Sequence, residues 1–359
     1  MRILQVSSGS YTIGGGVSEY VRNISERLAK EHEVTVFATN PRGRLPRNDL
    51  INGVKVERFL CTAPYYFSWE LPLRLRARTR KLKFDVVHGH NYHAFPLHFS
   101  FFARCNKFVI SPIFHGAGHT VFRDCLIRLL KPFGKITLKK ADGLLAASKY
   151  EQSLICQRFG IDPEEIMVIP RGVDFSEYKG LRRHKRGFKS ILYVGRLLDY
   201  KGVSYLVEVL PRLKSDNVIL EVVGKGPLKI NLQNRAKVVG VFDKIRFYED
   251  LDRHDLLQMY KDADLFVILS SYETYSKVVA EALVAGTPCI VANTSALTEW
   301  VDNECCFGVS TPINVNKLAK LIDELLETKV NFDITKKMIG NKILDWDEVA
   351  KRLEDFYLN

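Results

Sequence analysis

Leu265-Phe266-Val267-Ile268-Leu269 is an apolar run of strand length, and Ser270-Ser271-Tyr272 follows it with turn chemistry. Ser276 is placed to cap a helix over 277–285, which Gly286 and Pro288 stop before a second apolar run, Cys289-Ile290-Val291-Ala292. A strand, a short helix and a strand in so brief a span leave few folds open, because this is the unit of a parallel sheet. Parallel sheets bind ligands beyond the carboxyl ends of their strands, so residues 272–278 fall where a ligand belongs. The helix start there offers unpaired N–H groups to a phosphate. Glu273 precedes the helix and Glu281 lies inside it, at about 1.5 Å of rise per residue, so the two carboxylates can reach different parts of one elongated ligand. The plain alternative is a pair of solvated surface acids.

Glu273-Thr-Tyr-Ser-Lys-Val-Val-Ala-Glu281-Ala-Leu-Val-Ala-Gly286-Thr-Pro288 resembles the Glu-seven-residue-Glu signature of the retaining glycosyltransferases of the GT-B fold, family four. The resemblance implies that Glu273 contacts a donor sugar and Glu281 a nucleotide ribose. Tyr275, Ser276 and Lys277 between them become donor-binding candidates. Many members have Gly where Ser276 stands, at a point where backbone N–H groups meet the diphosphate. Gly195-Arg196-Leu197 and Lys201-Gly202, after the strand pattern Ser190-Ile-Leu-Tyr-Val194, are similar to the family's paired phosphate cations. A leaving nucleoside diphosphate gains negative charge as the glycosidic bond breaks, and Arg196 offers it a planar fork, Lys201 a point charge. Gly224-Lys225-Gly226-Pro227 after Val218–Val223 also matches the family. Asp262-Ala263-Asp264 has the form of an Asp-x-Asp metal motif but stands at a helix end and strand start, not beyond a strand.

The chain of 359 residues is long enough for two domains, and 46% hydrophobic content allows each a core. No apolar run reaches the roughly 18 residues of a membrane span, and the amino terminus enters a strand with no signal-peptide pattern. The expectation is a cytoplasmic protein, with a peripheral position on the inner membrane face left open. Seven cysteines, an odd number without a Cys-x-x-Cys pair, read as packed thiols, Cys125 among them. Residues 1–180 hold 27 Lys and Arg against 16 Asp and Glu, and residues 181–359 hold 26 against 25. The positive field of the first half favours an anionic surface, substrate or nucleic acid.

Ile3-Leu4-Gln5-Val6, the helical spacing of Val17, Val21, Ile24 and Leu28, and Val34–Phe37 form a βαβ unit that opens on Gly14-Gly15-Gly16. The glycines lack the dinucleotide spacing, and no acid ends the second strand, so a nicotinamide site is excluded. Gly15 and Gly16 still allow close backbone approach to a phosphate or sugar, and the triplet is similar to the family's amino-terminal glycine loop. The segment 71–83 carries Arg74, Arg76, Arg78, Arg80, Lys81 and Lys83, with Leu71, Leu75 and Leu82 as an apolar stripe. It reads either as a basic amphipathic helix for an anionic membrane or as a surface helix against the core.

Histidines 88, 90, 93, 115 and 119 follow predicted strands, but no Cys or acid completes a zinc set. The pair His115-Gly116 resembles the family's histidine that bonds the donor sugar; His88 and His90 read as acceptor-side or structural. Ser148 and Glu151 make a capping box for a helix to about Phe159. Pro170-Arg171-Gly172-Val173-Asp174 is similar to the family's Pro-Asn-Gly-Val-Asp turn, with Arg171 in place of Asn and Gly172 expected to take unusual backbone angles. The basic stretch 175–189 reads as a solvated linker.

The resemblance implies an α/β chain of GT-B architecture: two Rossmann-like domains with parallel sheets facing a central cleft. Domain one, 1–175, presents the acceptor, domain two, 190–340, binds a nucleotide sugar, and a terminal helix, 341–359, crosses back. The expected activity is retaining hexosyl transfer from a nucleotide-diphosphate sugar to a hydroxyl acceptor, on a lipid, a polysaccharide or a small molecule, with no metal or other cofactor and no nucleic-acid partner. His115, Arg196, Lys201 and Glu273 carry the chemistry. The rivals are a phosphorylase or epimerase on the same fold, and a non-catalytic basic protein that binds membrane or nucleic acid.

Overall fold

A computed structural model describes residues 1–12, 15–62, 66–116, 132–328 and 342–359. Gly14, His119 and Cys125 lie outside the described residues. The chain divides into two compact units, one of residues 1–172 with 344–359, the other of residues 173–343.

In the first unit, strands β1 (Arg2–Val6), β2 (Glu33–Asn40), β3 (Asn48–Ile51), β4 (Val54–Leu60), β5 (Phe84–His90), β6 (Cys105–Ser111), β7 (Gly143–Ala146) and β8 (Ile166–Val168) form one sheet in the order β3-β4-β2-β1-β5-β6-β7-β8. All neighbours are parallel except β3 and β4. That hairpin turns at Asn52 and Gly53, both at positive φ, in an Asn-Gly pair suited to tight hairpins. Both faces of the sheet are covered. On one face Val21, Ile24 and Leu28 of the helix Gly16–Leu28 pack with Trp346, Val349 and Leu353 of the last helix, Trp346–Leu358. Gly172 gives Trp346 its room: a Cβ there would lie 2.4 Å from the indole. Space, not the unusual backbone angles expected from the turn, is what this position demands.

In the helix Glu70–Leu82, Leu71 and Leu75 are buried, while Leu73 and the preceding Trp69 are 71% and 81% exposed. Among the described residues no helix is long and apolar enough to cross a membrane. Each described cysteine is a free thiol.

The two-residue strand β9 (Gly172–Val173) stands at the junction of the units. The second sheet contains β10 (Lys189–Val194), β11 (Val218–Val223), β12 (Ile245–Tyr248), β13 (Leu265–Ile268), β14 (Cys289–Ala292) and β15 (Cys306–Val309), all parallel, in the order β12-β11-β10-β13-β14-β15. The inner strands β10, β11, β13 and β14 are almost continuously buried, as a sheet covered on both faces requires. The basic stretch before β10 is not a solvated linker. Arg183 pairs with Asp264 at 2.7 Å, and Arg186 pairs with Glu221 at 2.6 Å and Asp262 at 3.3 Å, so carboxylates of the second unit pin it down.

Candidate active site

In the second sheet β10 lies between β11 and β13, and the strand order reverses there. The loops leaving β10 and β13 therefore run side by side at the carboxyl edge of the sheet. The first loop carries Arg196 and a single turn, Asp199–Lys201, closed by Gly202 at φ 70. A Cβ at Gly202 would sit 2.3 Å from the Leu269 carbonyl oxygen, so glycine lets this turn close on the end of β13. The closure brings Lys201 to Glu273, whose Oε1 accepts from Lys201 Nζ at 2.5 Å and from Ser270 Oγ at 2.9 Å. The Glu273 backbone N–H donates to Ser295 Oγ at 2.9 Å. Arg196 donates to Tyr200 Oη at 2.6 Å, and the Tyr200 ring stacks on Tyr272 with centroids 4.4 Å apart. Among the described residues no carboxylate lies within ion-pair reach of Arg196.

The helix Lys277–Ala285 follows β13 and ends at Gly286, at φ 85. Ser276 precedes it, but its hydroxyl does not cap the helix. The residue sits at φ 71, in the left-handed region, and its buried Oγ has no hydrogen-bond partner among the described residues. Side-chain capping needs an extended backbone at this point, which the turn out of β13 does not allow. A positive φ also explains why glycine suits this position in similar chains.

Glu281 is buried, and three groups hold its carboxylate. Arg253 Nη1 stands at 2.7 Å and Lys277 Nζ, one helical turn back, at 3.0 Å from Oε1; Tyr260 Oη donates to Oε2 at 3.2 Å. Burial alone would raise its pKa, but Lys277 and Arg253 outweigh that and hold it below the ordinary glutamate range. Arg253 also pairs with Glu177 at 2.8 Å. Neither Arg253 nor Tyr260 stood out in the sequence, because nothing at the start and middle of an amphipathic helix marks a partner for a carboxylate 21 or 28 residues on. Tyr275 needs correction as a donor-binding side chain. Its ring packs on Trp300, its hydroxyl donates to the Lys342 carbonyl at 2.8 Å, and it is 4% exposed.

The aspartates of Asp262-Ala263-Asp264 are occupied by the chain itself. Asp262 accepts from the His184 backbone N–H at 2.8 Å and its ring at 2.9 Å, and Asp264 accepts from the Ser190 backbone N–H at 2.8 Å. No group of three His, Cys, Asp or Glu among the described residues is arranged to hold a metal ion.

In the first unit, Gly15 precedes the helix Gly16–Leu28, and a Cβ on either glycine would meet no atom of the described residues within 4 Å. The space beside this backbone is open to a ligand. His115 follows β6, its ring edge-on to His93 at 4.1 Å. His88 and His90 are fully buried, so of the two roles open to them the structural one holds. His88 Nδ1 bonds Tyr357 Oη at 2.7 Å and Nε2 bonds Ser111 Oγ at 2.8 Å, while His90 Nε2 bonds Gln5 Oε1 at 2.7 Å. Burial pushes His88 down to about 3 and His90 well below its usual value, so both are neutral. Ser148 caps its helix, accepting from the Glu151 N–H at 3.1 Å, but Glu151 does not complete a capping box. Its carboxylate turns inward, accepting from the backbone N–H of Phe114 at 2.6 Å and of Ala147 at 2.8 Å, and so ties the loop before His115 to the loop after β7.

Residues 14–177 match the family described as Glycosyltransferase Family 4, and residues 175–344 match that described as Glycosyl transferases group 1. A glycogen synthase of Mycobacterium tuberculosis is 28% identical over 392 residues, covering 100% of this chain and 94% of its own. The fold is shared with sucrose-phosphate synthase of Thermosynechococcus elongatus, at TM-score 0.81, 20% identity and coverage of 99% and 98% of the two chains. It is shared too with Anabaena HepE in complex with UDP and glucose, at TM-score 0.75, 16% identity and 99% of each chain. With both halves of the chain matched and the fold in common, the protein belongs to the family 4 glycosyltransferases of the GT-B fold.

Proposed function

We propose that the chain transfers a hexosyl group from a nucleotide-diphosphate sugar to a hydroxyl acceptor, with retention of anomeric configuration and without a metal ion. The observation that carries this reading is the convergence of Arg196, Lys201 and Glu273 at the reversal point of the second sheet, beside the start of the helix Lys277–Ala285. Two cations and the first N–H groups of a helix make a counter-charge for a departing diphosphate. Arg196, with no carboxylate within reach among the described residues, is available to that charge. The orphaned Ser276 hydroxyl is a donor awaiting an acceptor in the same place.

Glu273, held by Lys201 and Ser270, orients the donor sugar, and Glu281 takes the ribose hydroxyls through the lone pairs that Arg253, Lys277 and Tyr260 leave open. The diphosphate oxygen receives the acceptor proton on the face from which it leaves. HepE was solved with UDP and glucose, which puts UDP sugars first among the donors to try.

The test is a panel of nucleotides and nucleotide sugars in EDTA, read by thermal stabilisation and by nucleotide release, because a ligand that prefers the folded state raises its melting temperature. One nucleoside diphosphate series should stabilise selectively. Glu281→Ala should mainly raise the donor KM and Arg196→Ala mainly lower kcat, each by tenfold or more, and the product should keep the donor's anomeric configuration by NMR. The reversed kinetic pattern, an inverted product or turnover only with added metal would each defeat its part of the reading. Turnover with phosphate, or with no acceptor, would favour a phosphorylase or epimerase.

A second reading concerns the acceptor side. Trp69 and Leu73 are exposed beside Arg74 and Arg76 on one helix, an apolar tip in a basic field that suits an anionic membrane surface.

A further inference from the structure

The first unit holds a small concavity of about 20 Å³ lined by Tyr20, Ser111, Ala147, Glu151, Ile169 and Arg171, among others. It lies beyond the carboxyl ends of the neighbouring strands β6, β7 and β8, where a parallel sheet binds ligands.

Its charged residue is Arg171, the one that departs from the Asn of similar chains. The guanidinium lies over the Tyr20 ring, 5.1 Å from its centroid, and its one hydrogen bond among the described residues is a long donation to the Gly16 carbonyl at 3.5 Å. No carboxylate stands within ion-pair distance of it among the described residues, although its charge is felt by Glu151. Glu151, the one acid in the lining, is 1% exposed and spends an oxygen on each of two backbone N–H groups, of Phe114 and Ala147. Beneath the pocket, Ser111 is bonded to His88, a histidine that burial keeps neutral, so no second cation competes there. His90, edge-on to Tyr20 with ring centroids 5.7 Å apart, is buried with Nδ1 lacking a partner among the described residues. A half-buried guanidinium with four of its five N–H donors unused among the described residues, over an aromatic face and beside the Ser111 and Tyr20 hydroxyls, is a receptor for a planar or tetrahedral oxyanion.

We propose that this pocket receives an anionic group, a phosphate or a carboxylate, carried by the acceptor, and that Arg171 is its counter-charge. The inference rests on the transfer reading for the word acceptor; the anion site stands on its own geometry. It makes the substrate class an acidic hydroxyl compound, and it places a specificity residue in the first unit rather than at the nucleotide.

The test is equilibrium binding of inorganic phosphate and of acetate to the full chain with UDP present at saturation, so that the phosphate cations Arg196 and Lys201 are already engaged. Phosphate, acetate or both should bind saturably. Affinity should fall at least tenfold in Arg171→Asn and stay within about threefold of the parent in Arg171→Lys, and the stronger anion identifies the group. Equal affinity in the parent and Arg171→Asn, or no saturable binding of either anion, overturns the proposal. Unchanged UDP affinity and melting temperature show that Arg171→Asn is folded. A chain that binds phosphate through Arg171 but neither binds UDP nor turns over any nucleotide sugar would keep the anion site and remove the transfer reading. The opposite result, turnover with no dependence on Arg171, would remove the anion site alone.

Discussion

Arg253→Ala tests whether Glu281 is held ionised by its neighbours. Removing one partner of a buried ion pair costs about 3–5 kcal/mol, because the other charge is stranded. Here the figure is discounted: Arg253 is 36% exposed, and Lys277 and Tyr260 stay on the Glu281 oxygens. About 2 kcal/mol remains, and in a unit of this size each kcal/mol moves Tm by about 2–4 °C, so the second unit should melt about 4–8 °C lower. Differential scanning calorimetry at pH 7 reads this, with Arg352→Ala as the control, since Arg352 and Glu348 form an exposed pair one helical turn apart. The control should move Tm by about 1 °C or less. Adding Glu281→Gln to Arg253→Ala should restore part of the loss, because the stranded charge goes with it. The pH dependence carries the sign. The folded pKa of Glu281 is depressed, so its contribution is complete above the unfolded value of about 4.3 and is lost as the pH falls through the folded value. The penalty of Arg253→Ala should therefore shrink below about pH 4. A penalty no larger than that of the control, or one that persists unchanged in acid, would refute the electrostatic account of this network.

Glu151 behaves with the opposite sign. Burial raises its pKa to about 7, so the stability it contributes is complete below about 4.3 and is lost as the pH rises through 7, on the order of 3 kcal/mol in all. The melting temperature of the first unit should fall between pH 5 and 8, and Glu151→Gln should flatten that slope; an unchanged slope would mean that another group titrates. Ser276→Gly relieves a left-handed serine and removes a buried hydroxyl without a partner, against a smaller cost in unfolded-state entropy. The net is about 1 kcal/mol of added stability, read as a higher Tm of the second unit, and a lower Tm would refute the account of a strained serine with a hydroxyl that costs stability. Cosedimentation with vesicles of anionic and of zwitterionic lipid checks the basic helix. Binding should be confined to the anionic vesicles and weaken severalfold in Trp69→Ser with Leu73→Ser, whereas a parent protein that binds neither vesicle would end the membrane reading.

The sheets were legible because buried parallel strands announce themselves. Leu265–Ile268, Val218–Val223 and Cys289–Ala292 are apolar runs bounded by turn residues, and the helix Lys277–Ala285 has a glycine stop at its end. The Asn52-Gly53 hairpin carried an equally local signal that a reading tuned to alternating strands and helices passes over. What sequence does not show is where a side chain spends its hydrogen bonds. Glu151 stands three residues after a capping serine, where a capping box is expected, yet its carboxylate serves two backbone N–H groups in other loops. Ser276 stands before a helix, where a cap is expected, yet the left-handed turn takes its hydroxyl off the helix. Arg183 and Arg186 look like linker charges until Asp264, Asp262 and Glu221 come into reach through the fold.

The same limit bears on the site. Lys201 and Glu273 are 72 residues apart, and their meeting follows from the strand order, which puts β10 beside β13. A motif supplies the residue types; the reversal point supplies the proximity. Arg253 and Tyr260 have no motif because their task is to keep Glu281 charged inside the protein, and an arginine or tyrosine on a neighbouring helix does this from many sequence positions. Residues that would touch a ligand are therefore the ones the chain displays, and residues that hold them in their charged state become visible only when the helices are packed.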